Sequence, residues 1–398
     1  MRSLASALAL TLTFALAACG GDDSSSPTSP DQDEGPTTGA ISVTTSTSGA
    51  TPDPDGYAVA PDGETAVDVG TDSTVVFTDL SEGSYSISLS KVATNCQQDG
   101  SASATVTAGD TVSATVNVEC AESVRDRIVF SSTRDDSIFD LYTMAHDGSD
   151  VQRLTTNADL VAMDVNDAGT RILALGPITA SGDLELHLVQ ADGSIRQVTN
   201  DAVAQVYSSM NPDGSAAIYA GEDTTNSTYS LMRVDLDGGG TPTAVVADSM
   251  MSRFPDWSPD GSTVAFSRQD SASVSYDVYT ADADGGGLNA VVQDTTTSFY
   301  KPTYSPSGDR LAYMSTADST IVARDLGSGS VQTIASGVVT FEPSLTWLAG
   351  GEHVVYQVDD GDYELRRAAA DGSGGIPLTS NSFNDGFAAA ARWSSGNN

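Results

Sequence analysis

The chain has 398 residues, 39% hydrophobic and 18% charged, and its 54 acids against 17 bases leave a formal net charge of −37. That length is enough for two or three domains with a sizeable buried core, while plentiful Gly, Ser, Thr and Asp suit short strands and many turns better than long helices. So acidic a surface repels nucleic acid and anionic lipid headgroups and argues against both as partners. Solubility, adaptation to salty surroundings and a cationic partner remain as reasons for the charge. Only two lysines occur, Lys91 and Lys301.

Residues 1–18 read as an export signal. Arg2 supplies a positive start, and residues 4–18 form an apolar stretch too short to span a bilayer as a mature anchor. Leu16-Ala17-Ala18-Cys19 resembles the bacterial lipobox. The resemblance implies cleavage before Cys19 and a diacylglyceryl group on its sulfur, hence a lipid-anchored cell-envelope protein. An ordinary secretory signal with an incidental cysteine is the alternative. Gly20, where an Asp would favour inner-membrane retention, points to the outer membrane, on its periplasmic or surface face. Residues 19–39 hold the lipidated cysteine and GGDDSSSPTSPDQDEGPTTG, which has no aliphatic or aromatic side chain. Such a segment cannot offset its ordering entropy by burial and serves as a flexible tether reaching roughly 25 Å.

With Cys19 lipidated, Cys96 and Cys120 remain as a pair that an oxidising compartment would join. In the chain-entropy description that loop contributes about 3 kcal/mol. Zinc binding is a poorer use, since two thiolates without a nearby His do not complete a shell.

Residues 40–121 alternate apolar residues with Thr or Ser in ISVTTSTSG, STVVFTDL, SYSISLSKV, SASATVTA and TVSATVNVEC, with turn signals between them. The spacing predicts a small β-sandwich. VVFTDLSEGSYSISLS, residues 75–90, resembles the Gly-Xaa-Tyr turn of carboxypeptidase-regulatory-like or PEGA-like domains, which implies a spacer or binding decoration.

From residue 122 to 398 one unit recurs. Its second strand reads RIVF at 127, RILA at 171, AAIY at 216, TVAF at 263, RLAY at 310 and HVVY at 353, in steps of 43 to 47 residues. A period of 40–50 with several strands per unit predicts a β-propeller. An apolar column lies four residues before each turn glycine, at Val165, Met210, Trp257, Tyr304 and Trp347, and Trp393 is read as its sixth member. Third and fourth strands follow, joined by Gly-rich turns such as Asp147-Gly148 and Asp371-Gly372. In Pro259-Asp260-Gly261 the proline presets φ, and Asp and Gly accept the left-handed geometry that closes a hairpin. The last segment, 388–396, has the form of a first strand with no second strand after it, and the first unit lacks a first strand. Residues 388–394 are therefore expected to complete the first blade, which spares the ring two exposed edges. The fold class read from the sequence is all-β: a six-bladed propeller closed by strand exchange, preceded by a small sandwich.

The stretch FPDWSPDGSTVAFSR, residues 254–268, is similar to the TolB-type, WD40-like propeller repeat. Residues 255–268 match closely, 302–315 well and 208–219 in part, and the resemblance spans about 270 residues. It implies the fold. TolB carries a mixed α/β domain before its propeller, where this chain has strands.

The search for chemistry finds no catalytic set. His146, His187 and His353 occupy different repeat positions, so a shared metal site is not expected. No nucleophile elbow, phosphate loop or dinucleotide fingerprint occurs, and no cofactor is expected. Asp282-Xaa-Asp284-Gly285 and Asp235-Xaa-Asp237-Gly238 have the flavour of calcium loops without their remaining ligands, and capping of hairpin turns explains them equally. In propellers the residues entering each first strand line a central funnel. Here these are Arg253, Phe254, Tyr300, Lys301, Phe341, Glu342, Asp385 and Phe387. Two cations beside aromatics would fix an anionic group; alternatively they pair with Glu342 and Asp385 across the channel. The leading expectation is a monomeric, non-enzymatic binding or scaffold lipoprotein with a protein or glycan partner in the envelope. The rival is a polysaccharide lyase or glycosidase with its site in the funnel.

Overall fold

The computed structural model describes residues 35–53, 56–93, 95–135, 137–177, 184–200, 203–223, 228–238, 240–246, 250–269, 275–338, 344–359 and 361–392. The export signal, Cys19, Phe341, Glu342 and Trp393 lie outside them. Every regular element among the described residues is a strand, apart from one 3-10 turn at Ala349–Gly351.

Residues 38–120 form two four-stranded sheets. One holds Thr38–Gly49, Thr74–Ser81, Cys96–Asp99 and Thr111–Cys120; the other holds Tyr57–Pro61, Val67–Val69, Gly83–Ser90 and Ala102–Val106. The Thr/Ser alternation sends every second side chain inward: Ala114, Val116, Val118 and Cys120 on one strand are buried with Ile41, Val43, Tyr57, Val59 and Ile87 in a core both sheets share. Cys96 and Cys120 stand opposite each other in register and are disulfide-bonded. The chain then crosses to the second part, where Ser123 Oγ donates to Ala168 O at 2.6 Å and the Val124 N–H to Gly169 O at 2.8 Å. Gly169 has φ 64°, and a Cβ there would meet Arg125 N at 2.3 Å, so this crossing requires glycine.

Beyond residue 127 the described residues form six more four-stranded sheets, one per repeat. Five use four consecutive strands, as in Met251–Trp257, Thr263–Gln269, Tyr276–Asp282 and Asn289–Val292. Second strands such as Thr263–Gln269 are buried along nearly their whole length, because neighbouring sheets cover both faces. The remaining sheet joins Ile128–Ser132, Asp140–Met144 and Gln152–Arg153 to Asp385–Ala390 from the far end of the chain. The six first strands, Val161–Val165, Gln205–Met210, Met251–Trp257, Phe299–Tyr304, Leu345–Trp347 and Asp385–Ala390, each touch the next, and the last touches the first.

The apolar column explains how neighbouring sheets lock. Val165, Met210, Trp257, Tyr304 and Trp347 are all buried. Trp347 Nε1 donates to Thr303 O at 3.1 Å, and the Tyr304 hydroxyl lies 3.1 Å from Thr263 Oγ1, each reaching the preceding sheet. The sixth position corrects the sequence expectation. Ala390 faces Ile128 just as Trp257 faces Val264, so the column's sixth member is Ala390 and the strand is 385–390 rather than 388–394. Ala390 packs there with Met144, Leu348, Val355 and Leu365.

Candidate functional site: the central cavity

Three residues before the apolar column, each first strand places one residue on a common cavity of about 270 Å³: Ala162, Tyr207, Phe254, Lys301, Ser344 and Phe387. The wall is otherwise apolar, with Val161, Met163, Leu175, Leu184, Val206 and Ala388. Tyr207, Phe254, Lys301 and Phe387 have φ of 49°, 54°, 51° and 52°, left-handed backbone that non-glycine residues adopt at a cost of about 1–3 kcal/mol each. Each lies where strand register shifts: between Val206 and Ser208, Arg253 and Asp256, Tyr300 and Thr303, and Gly386 and Ala389. A bulge re-aims the side chain it carries, and here four bulges converge. Tyr207 and Phe254 rings sit 3.9 Å apart between centroids, with Tyr300 edge-on to Phe254 at 5.9 Å.

One residue before the apolar column lies a polar layer: Asp164, Ser209, Asp256, Thr303 and Thr346. Arg392, two residues past the end of the last strand, inserts its buried guanidinium among them. Its Nη1 donates to Asp256 Oδ2 at 2.6 Å and to Trp257 O at 3.1 Å, and its Nη2 to Asp164 Oδ2 at 3.1 Å. Asp164 Oδ2 also accepts from Ser209 Oγ and the Met210 N–H, and Asp256 Oδ2 from the Tyr304 N–H. Burial pushes the Asp256 carboxyl above its ordinary range, against the pull of Arg392. Burial also opposes the charge on Arg392, but Asp256 and Asp164 outweigh it and hold it protonated. Asp167 nearby is pushed up to about 6 by burial, despite Arg392.

Lys301 is the cavity layer's one charged residue among those described. Burial lowers its ammonium pKa, with Asp256 and Asp164 pulling the other way. Among the described residues no carboxylate makes an ion pair with it.

The other sequence-predicted residues are distributed differently. Arg253 does not line the cavity; its guanidinium lies 4.2 Å over the Tyr229 ring and 6.0 Å from that of Tyr276. Tyr300 packs against Tyr276 at 5.2 Å and Phe254. Asp385 is fully buried and accepts two bonds of 3.0 Å from Arg134 and one of 2.7 Å from Asn381. The expected pairing of Arg253 and Lys301 with Asp385 is thus corrected: Arg134, a nearer cation on the adjoining strand's exit, already holds it. Glu342 and Cys19 fall outside the described residues. The acidic turns behave as caps, with Asp235 Oδ1 accepting the Asp237 and Gly238 N–H groups. Sequence reading missed Tyr207 and the polar layer. A signal existed for the latter, because the residue before the apolar column is polar in Asp164, Ser209, Asp256, Thr303 and Thr346.

Among solved structures the chain is similar to TolB from Acinetobacter baumannii, at 17% identity and a TM-score of 0.55, over 66% of this chain and 66% of that one. It is similar to putative TolB from Agrobacterium tumefaciens at 18% identity and 0.50, over 68% of this chain and 92% of that one. The fold is a TolB-like β-propeller. A chain of a nidogen/laminin complex shares it at 9% identity and a TM-score of 0.50, over 63% of this chain and 91% of that one. At such identities the TolB-like likeness speaks for the fold alone. No protein-family model matches the chain, and no curated protein matches it.

Proposed function

We propose that this protein is a non-enzymatic binding or scaffold module of the bacterial cell envelope, held to the outer membrane of a diderm, on its periplasmic or surface face, by lipid on Cys19. In this reading residues 40–121 are a sandwich spacer on a flexible tether. Residues 122–398 are a six-bladed propeller closed by exchange of its last strand, and its face holds a protein or glycan partner. The observation that carries the reading is the chemistry of the channel. Asp164 and Asp256, in the layer next to it, are both paired with Arg392, and among the described residues the wall offers aromatics, aliphatics, one lysine, one serine and the Tyr207 hydroxyl but no carboxylate. Acid–base catalysis on a sugar needs two carboxyl groups facing substrate; this lining favours binding over turnover.

The test is capture. Immobilised full chain is expected to retain a partner from envelope extract in stoichiometric amount, and to leave acidic polysaccharides at their original length. Shortening of a polysaccharide by the purified protein overturns the reading. Loss of labelled fatty acid in Cys19→Ser, with retention in the parent, checks the anchor.

A further inference from the structure

The cavity raises a question that a macromolecular partner does not answer. One of only two lysines in a chain of net charge −37 is placed in an apolar wall. Lys301 is partly shielded from water there, and a cation drawn out of water is costly unless paired. Asp256 and Asp164 lend it only their field: neither makes an ion pair with it, and the Oδ2 atom of each is already taken by Arg392 together with Ser209 and Met210 or Tyr304. The backbone supplies a second, independent observation: four left-handed non-glycine residues, Tyr207, Phe254, Lys301 and Phe387, converge on this one space. Strain of this kind concentrates where a ligand is held.

We propose that the central cavity binds a small apolar monocarboxylate, its carboxylate on the Lys301 ammonium and its hydrocarbon body against Tyr207, Phe254 and Phe387. Size, charge and polarity each narrow the class. A volume of about 270 Å³ equals that of about nine waters, so the occupant has on the order of ten non-hydrogen atoms. A single lysine matches a single negative charge by one charge-assisted bond. The chain's overall charge of −37 disfavours polyanions such as phosphates and uronate chains, which pay repulsion several times over. Among the described residues the wall offers only the Lys301 ammonium and the Ser344 and Tyr207 hydroxyls to match a sugar's hydroxyls, and an unpaired hydroxyl is penalised there. The site is independent of whatever the outer face docks.

Calorimetric titration of the full chain with octanoate and 3-phenylpropanoate, beside octan-1-ol and 3-phenylpropan-1-ol, tests the assignment. The acids are expected to bind at least ten-fold more tightly than the alcohols. Lys301→Met is expected to abolish that preference while leaving alcohol binding unchanged or improved. Acids and alcohols binding alike to the parent protein, or neither binding at millimolar concentration, overturns the proposal, as does an unchanged preference in Lys301→Met. Should that variant fail to fold, the acid–alcohol comparison on the parent decides alone.

Discussion

The sheets of residues 38–120 and those of residues 128–390 are fastened by opposite means. In the first region a covalent bond joins Cys96 to Cys120 across neighbouring strands, 24 residues apart in sequence. In the second, a strand from the far end pairs with Ile128–Ser132, and Arg392 bridges Asp164 and Asp256 across 228 and 136 residues. A disulfide acts mainly by restricting the unfolded chain. The arginine exists as a fastening only in the folded state, where its partners have been desolvated and depend on it. Exposed ion pairs such as Lys91–Asp68, with both side chains more than half exposed, contribute little by comparison.

The largest effect is expected from removing residues 388–398. The second region should lose its shared cooperative transition, with its melting temperature falling by roughly 10 °C or more, while the first region's transition stays in place; scanning calorimetry reads both. Should the shortened chain melt like its parent, the contrast drawn here fails. Arg392→Met is expected next, at about 3–5 kcal/mol in denaturant unfolding, since it strands two buried aspartates. Restoring most of that loss with Asp164→Asn and Asp256→Asn alongside it would sharpen the assignment to charge. Replacing Cys96 and Cys120 by Ala should cost about 3 kcal/mol, confined to the first transition and mimicked by reductant.

The smallest effect is pH-dependent. Asp167 titrates near 6 in the folded chain, above the usual carboxyl value, because burial disfavours its charge. The folded state therefore holds the proton more strongly. Its contribution is fully present below about pH 4 and is lost as pH rises through 6. Asp167→Asn should be the more stable form at pH 7.5 by about 2 kcal/mol, allowing for screening at a half-buried site, with the gap closing below pH 4. A gap that persists or widens at low pH contradicts this account of Asp167.

Much of this molecule was legible before any coordinates. Alternation of apolar with Thr and Ser, Pro-Asp-Gly turns and a 43–47-residue step are local features, and local sterics and patterning dictate strands, hairpins and their repetition. The aromatic column and the cavity residues Phe254, Lys301 and Phe387 followed from counting along that repeat. Counting failed at the last strand. Its register is set by pairing with Ile128–Ser132 at the other end of the chain and by packing with Met144, Leu348 and Val355 from other sheets, which no local pattern displays. Arg392 was equally hidden, because nothing near it in sequence says that its partners stand on two other sheets. What the order of residues dictated alone was the unit and its multiplicity. Where the chain's end is seated, which charge neutralises which, and why a lone lysine looks into an apolar space were decided in three dimensions, since volume exclusion and desolvation act only once the sheets are packed.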